Sequence, residues 1–482
     1  MTGRDYHPPM IRWMLCMCFP LAAFAAPPNV VFIMTDNHGA WTLGCYGNRD
    51  IRTPNIDALA KNGVLFERAY ANNPVCSPTR ASYLTGLMPS QHGVHCFLFG
   101  GRLQVGPHAR NTLADFTSVP EMLKKAGYRC GLVGKWHLGG NLKPQEGMDD
   151  YWITMPHGAT SAFYDAQVIE NGKQRREPRN LTDLWTERAV KFIEQNRRQS
   201  FFLFLSYNGP YGLGRTLLKS SRNRHVPFYA DKKFPSFPRT KAHEWLFNNK
   251  DYLNNLVSIR RYAAELSGVD DGVGTVMATL RQHGLADNTL VVFCGDQGWV
   301  GGQGGFWGMG DHTRPFTGFD GMMHVPLIWH HPARLKSRRV KEHCVTNYDF
   351  FPTLMSYVGL ESNYNGPGRD YSPILAGKKT EWDDTVFYEF EYLRCIRTPE
   401  WKFIGRFPDG PHELYDLKSD PAESRNLYGE KKHAKTQAEM QKRLAAFFTK
   451  NADPKYDLWR EGKSQTKLLG RERFPGRWYP PK

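Results

Sequence analysis

Short apolar runs that end in small or charged residues alternate along most of the chain with stretches of helical period, and this alternation predicts an α/β protein. Pro28 to Thr35, Tyr128 to Val133, Phe201 to Ser206 and Asn288 to Cys294 are the clearest runs. Rich in Val, Ile, Leu and Phe and too short for core helices, they read as buried strands. Helices are expected from Thr53 to an Asn62-Gly63 stop, from Val119 to Gly127, and over Leu181 to Gln195. Others run from Arg260 to Gln282 and from Thr436 to Lys450, while Val64 to Phe66 opens a further strand. After about residue 370 the pattern changes to short runs at Thr385 to Tyr392, Cys395 to Arg397 and Trp401 to Ile404, an antiparallel meander.

The polar residues that close these runs carry the candidate chemistry. Asp36-Asn37-His38-Gly39, Lys135-Trp136-His137 and Asp296-Gln297-Gly298 each follow a strand. In an open α/β sheet that end is where ligand groups collect. Asp36/Asn37 and Asp296/Gln297 can hold one hard divalent cation through oxygen ligands, and calcium suits such a set. Lys135 and His137 suit an anion site, although spacing alone also accommodates a surface Lys and a core His. Between Gly212 and Lys241 lie eight Lys or Arg residues and one acid, which reads as an exposed loop.

Composition narrows the class. Hydrophobic residues at 40% and aromatics at 13% describe a packed globular protein. Length alone suggests about three domains, and the pattern divides the chain into 1–26, 27–370 and 371–482. Residues 1–26 read as an export signal: Arg4 and Arg12 precede an apolar run from Trp13 to Ala25, with Ala23-Phe24-Ala25 as the cleavage site. The expected location is therefore secreted or periplasmic, with cleavage near Ala25/Ala26. No later segment is long enough to span a bilayer. Loss of Arg4, Asp5 and Arg12 leaves +15 of the net charge of +16, which favours polyanionic partners. Cys16 and Cys18 leave with the signal, and no spacing among the remaining seven cysteines fixes a disulfide pattern.

The stretch Asn72 to Arg80 organises the rest. Ser77 suits an N-cap, Pro78 the first helical position and Gly86 the stop. Cys76 then sits just before a helix N-terminus, where an anion is favoured, and Arg80 lies one turn on. Taken alone, Cys76 is better explained as a small buried residue ahead of a capped helix. Cys76-x-Pro78-x-Arg80 with Ala81-Ser-Tyr-Leu-Thr-Gly86 resembles the signature of the type I sulfatases, arylsulfatase-like members of the alkaline phosphatase superfamily. Gly44-Cys-Tyr-Gly47, Gly134-Lys-Trp-His-Leu-Gly139 and Glu413 to Leu427 resemble the same family.

The resemblance implies an alkaline-phosphatase-like α/β/α sandwich with a large mixed sheet and a smaller antiparallel C-terminal α+β domain. It implies that a formylglycine-generating enzyme oxidises Cys76 to formylglycine. In the family scheme one hydroxyl of the hydrated aldehyde, deprotonated by Asp296, attacks sulfur, and His137 deprotonates the second so that sulfate leaves. Arg80 and Lys135 neutralise the sulfuryl charge, and Ca2+ is held by Asp36, Asn37, Asp296, Gln297 and position 76. The expected partner is a sulfated carbohydrate or small sulfate ester, with no nucleic acid and no stable membrane insertion.

The chain departs from the family pattern at three places. Asn37 replaces a second Asp, Tyr211 stands where a His is usual, and Met309 where a Lys is usual. His312 or Arg314 is a candidate replacement for that cation, so Tyr211, His312 and Arg314 are the expected substrate-side residues. The alternatives are a catalytically weak or inactive homologue that binds sulfated glycans, and a hydrolase of phosphate or phosphonate esters.

Overall fold

The computed structural model describes Gly3 and residues 27–160, 162–213, 217 and 222–470, so the expected export signal and its cysteines lie outside the described residues. In chain order the first strands are β1 (Asn29–Asp36), β2 (Val64–Tyr70), β3 (Arg129–Gly134), β4 (Tyr151–Thr154), β5 (Ala166–Glu170) and β6 (Lys173–Glu177). They are followed by β7 (Phe201–Pro210), β8 (Thr289–Gly295), β9 (Val300–Gly301), β10 (Trp307–Gly308), β11 (Leu327–His330) and β12 (Arg338–Thr346). Ten of these form one mixed sheet in the order β12-β2-β11-β8-β1-β7-β3-β4-β5-β6.

At its centre, β8, β1, β7 and β3 run parallel. Every residue of β1, β7 and β8 is buried, which is why these segments are almost uniformly apolar. Period-two alternation divides their side chains between two cores. Val31, Ile33, Leu203 and Leu205 pack with the helices Leu181–Asn196 and Leu256–Gln282 on one face. Val30, Phe32, Phe202 and Phe204 pack on the other, with the helices Cys76–Thr85 and Phe350–Val358. The result is the expected α/β/α sandwich. Because the four central strands are parallel, their C-terminal ends share one edge. Register pairs Thr35 with Gly295 and sets Ser206 opposite both Met34 and Gly134.

The smaller antiparallel sheet is β13 (Val386–Phe390), β14 (Leu393–Arg397), β15 (Trp401–Arg406) and β16 (Glu413–Asp416). Ile396, Phe403 and Leu414 meet Met440, Leu444 and Phe448 of the helix Ala434–Asn451. Ion pairs of Asp320 with Arg397 (2.9 Å) and Lys402 (2.8 Å) tie this sheet to the larger one.

Several strands escaped the hydrophobic pattern for physical reasons. β12 reads Arg-Arg-Val-Lys-Glu-His and β6 Lys-Gln-Arg-Arg-Glu, the charged composition of sheet edges. The seven cysteines among the described residues are all free thiols. No helix among the described residues is long and apolar enough to cross a membrane.

Phe32 is fully buried, with ring centroids 5.2 Å from Phe204 and 4.5 Å from Phe350. Phe32→Ala is expected to lower stability by about 3–5 kcal/mol, read as a fall in the urea midpoint with an unchanged slope.

Candidate active site

Four charged side chains from four elements meet at the C-terminal edge of the parallel strands. Asp36 ends β1, Lys135 follows β3, Asp296 follows β8, and Arg80 projects from the helix Cys76–Thr85. The Arg80 guanidinium donates to Asp296 Oδ2 through Nε (3.0 Å) and Nη2 (2.8 Å), and Lys135 Nζ to Asp36 Oδ2 (2.6 Å). All four side chains are 0% exposed. The quartet is formally neutral, and Arg80 and Asp296 have further partners. Arg80 Nη1 donates to the Lys135 carbonyl (2.9 Å) and to Ser206 Oγ (2.7 Å), while Asp296 Oδ1 accepts the backbone N–H groups of Asn37 (3.1 Å) and Gln297 (2.9 Å). Burial, and then the charge of Asp36, push the Asp296 carboxyl up to about 6 against the pull of Arg80 and Lys135.

The helix begins at Cys76, with Val75 as N-cap, two residues before the start read from the sequence. Ser77 does not cap it. Its hydroxyl donates to the His137 carbonyl (2.7 Å) and accepts the Leu98 N–H (3.0 Å), and Asn73 Oδ1 takes the Val75 N–H instead. Gly86 ends the helix at φ 74°, as expected, because only glycine adopts that conformation freely. The spacing of one turn carries Cys76 and Arg80 to the same place. Cys76 Sγ donates to Asp36 Oδ1 (3.4 Å). Burial, and then the Asp36 charge, push this thiol well above its ordinary range, so it stays protonated and is a poor nucleophile as cysteine.

Beside it, Gln297 Nε2 is ringed by acceptors: Cys76 Sγ (3.3 Å), Met309 Sδ (3.4 Å), Asp36 Oδ1 (3.5 Å) and, closer still, Asn37 Oδ1. An amide nitrogen has two hydrogens, and here it stands in for positive charge. Gln297 Oε1 has no hydrogen-bond partner among the described residues, and a flip of the amide would turn that oxygen into the ring. Ligand atoms of Asp36, Cys76 and Asp296 lie within 4.8 Å of one another. Two carboxylates and two amides fit a hard cation with oxygen preference.

His137 stands next to this cluster in a left-handed conformation, φ 63°. Its ring nitrogen Nε2 is 3.0 Å from the Leu98 carbonyl, which fixes the proton on Nε2, and Nδ1 has no hydrogen-bond partner among the described residues. Burial, and then the positive Lys135, hold the imidazole well below its ordinary pKa and therefore neutral. Gly158 packs directly on the ring, where a Cβ would lie 1.7 Å from His137 Cγ.

Tyr211 reaches the site from the end of β7. Its N–H donates to the Asp36 carbonyl (3.1 Å), and Lys135 Nζ lies 5.7 Å from its ring centroid. Met309 is buried against Gln297. His312 and Arg314 follow Met309 in the chain. His312 Nδ1 accepts the Met309 N–H (3.2 Å), while Arg314 donates to the Asp311 and Thr313 carbonyls and lies over Phe247 and Phe316. Ser206 and the Leu98 carbonyl are the contributors that sequence reasoning missed. Ser206 closes an apolar run just as Asp296 does, so its position was a usable signal; the Leu98 carbonyl had none.

The family model described as Sulfatase matches residues 28–360, and that described as N-sulphoglucosamine sulphohydrolase, C-terminal, matches residues 313–450. An N-acetylglucosamine-6-O-sulfatase of Bacteroides thetaiotaomicron is 26% identical, over 86% of this chain and 85% of its own length. An N-acetylgalactosamine-6-sulfatase of Rattus norvegicus is 30% identical, over 70% of this chain and 63% of its own length. Among solved structures, a protein in complex with its substrate D-glucosamine-2-N,6-O-disulfate has the same fold, at TM-score 0.72 and 24% identity. It covers 88% of this chain and 98% of its own.

Arg80→Met leaves Asp296 buried without its bidentate partner and is expected to cost about 3–5 kcal/mol of stability, measurable by urea unfolding of the purified protein.

Proposed function

The chain belongs to the sulfatase family, a sulfuric ester hydrolase, and on that footing we propose that it removes sulfate from a sulfated carbohydrate with formylglycine at position 76 as nucleophile. One observation carries this reading: the cation-shaped ring of acceptors around Gln297 Nε2, with Cys76 as a member. The sugar specificities in the names of the Bacteroides and rat relatives point to the substrate class.

The side-chain oxygens of Asp36, Asn37, Asp296 and Gln297 are assigned to one Ca2+, with position 76 completing the set. When bound, the ion supplies Lewis-acid polarisation of the sulfate ester. Formylglycine supplies, on hydration, a nucleophilic hydroxyl that the protonated Cys76 thiol lacks.

The other roles fall to groups already in place. Arg80 and Lys135 hold positive charge against the sulfuryl oxygens from fixed, buried positions, so little reorganisation is needed in the transition state. His137 keeps its proton at Nε2 on the Leu98 carbonyl and accepts one at Nδ1. Asp296 serves as the first proton acceptor, its basicity raised by burial. Tyr211, His312 and Arg314 are assigned to the substrate side. On the same reading residues 1–26 direct export to the periplasm or beyond, 27–370 form the catalytic unit and 371–482 a C-terminal subdomain. Maturation requires a formylglycine-generating enzyme. Met309, whose thioether lies 3.4 Å from Gln297 Nε2 where the family pattern has a lysine, favours a second reading, a glycan-binding homologue with little turnover.

Protein produced with a formylglycine-generating enzyme is expected to yield a tryptic peptide Ala69–Arg80 lighter by the difference between a thiol and an aldehyde. It is expected to hydrolyse 4-nitrocatechol sulfate, and Cys76→Ala to abolish that turnover. Unmodified Cys76, or equal turnover by Cys76→Ala, would overturn the nucleophile assignment. Calcium at 100 times its dissociation constant is expected to stabilise the fold by about 2.7 kcal/mol, read by denaturant unfolding with and without EGTA. No stabilisation would remove the ion from the site.

A further inference from the structure

A second feature lies on the outer side of the loop that supports His137. Leu98 is bonded inward twice, its carbonyl to His137 Nε2 (3.0 Å) and its N–H to Ser77 Oγ (3.0 Å). One Cα step further, about 3.8 Å along the chain, the Phe99 ring is 51% exposed. Leu98 and Phe99 line a cavity of about 720 Å³ together with Arg102, His108, Arg110 and Lys467. No Asp or Glu lines it among the described residues.

The wall that carries Lys467 is built and not incidental. Gln465 Nε2 donates to the carbonyls of His92 (2.8 Å) and Thr112 (3.0 Å), and Thr466 Oγ1 accepts the Cys96 N–H (3.1 Å). The C-terminal segment is thereby stitched onto the loop that begins beside the active site. Two guanidinium groups offer planar, bidentate recognition of sulfate or carboxylate. An exposed aromatic ring beside them offers an apolar face to a sugar ring. The two features together fit an anionic sugar residue better than a free inorganic anion, which has no use for Phe99.

We propose that this cavity is a subsite for a second anionic sugar residue of the substrate, joined to the residue whose sulfate is removed. It rests on the sulfatase reading and deepens it: the substrate is an anionic oligosaccharide or polysaccharide, and the sulfated sugar at Cys76 is one unit of it. Residues 97–110 and 464–467 then set specificity for the neighbouring unit.

The test is binding of a fluorescently labelled heparin hexasaccharide to the matured full-length protein at low salt. Arg102→Ala/Arg110→Ala is expected to weaken binding about tenfold, and Arg102→Lys/Arg110→Lys to restore only part of that loss, because an ammonium lacks the planar fork; full affinity in the lysine variant would overturn the guanidinium recognition. Equal affinity of the alanine variant and wild type would overturn the proposal. An equal loss from Lys378→Ala/Lys379→Ala, two exposed lysines elsewhere, would also overturn it by showing that overall charge suffices. Competition by neutral maltohexaose as strong as by unlabelled heparin hexasaccharide would overturn the anionic class. Wild-type turnover of 4-nitrocatechol sulfate reports on the sulfatase reading separately, so failure of either statement is visible without the other.

Discussion

The buried quartet of Arg80, Asp296, Lys135 and Asp36 is the constraint on which the rest of the structure depends. Burying two carboxylates and two cations costs several kcal/mol per ion unless geometry and hydrogen bonding are nearly complete. Completion is drawn from the whole centre of the molecule: the carbonyl after β3, the Ser206 hydroxyl of β7 and the backbone N–H groups of Asn37 and Gln297. These groups come from strands far apart in sequence and adjacent in the sheet. The parallel order β8-β1-β7-β3 is therefore the support of the site and brings together the groups that satisfy its charges.

A neutral quartet has a chemical consequence. The charges of Arg80 and Lys135 are balanced by Asp296 and Asp36, and Asp36, whose Oδ2 pairs with Lys135, turns its Oδ1 with the Asn37 oxygen to a common point at Gln297 Nε2. Asn37 in place of a carboxylate makes that point one charge less negative, and Met309 brings a weak acceptor where a cation is expected. Both changes act on the electrostatics of the centre and leave the backbone frame intact.

The site is also asymmetric in its surroundings. On one side the left-handed His137 is pressed onto Gly158 and anchored through Leu98. On the other, Tyr211 covers Lys135. The His137 side continues outward into the basic cavity at Arg102 and Arg110, whose far wall is the C-terminal segment at 464–467. The terminal segment thus contributes to the surroundings of a centre built almost wholly from the first three hundred residues.

Much of this was legible in the sequence. Uniformly apolar runs fixed the four central strands because both faces are buried, and a turn of helix between Cys76 and Arg80 sufficed to place both at one point. The polar residues closing β1, β3 and β8 gather at one edge because those strands run parallel. The charged edge strands β6 and β12 were not, since an edge strand buries too little to show a period, although Asn171-Gly172, with φ 52° and 77°, does mark the turn joining β5 and β6. Local signals also misplaced the helix start: Ser77 has the chemistry of a cap, but its hydroxyl is claimed by His137 and Leu98, partners at sequence distances of 60 and 21 residues. Residue types and spacing determined which groups would gather. Which of them pair, which proton His137 keeps and where Arg314 turns were decided only by tertiary contacts, because each depends on a partner that the chain brings close only when folded.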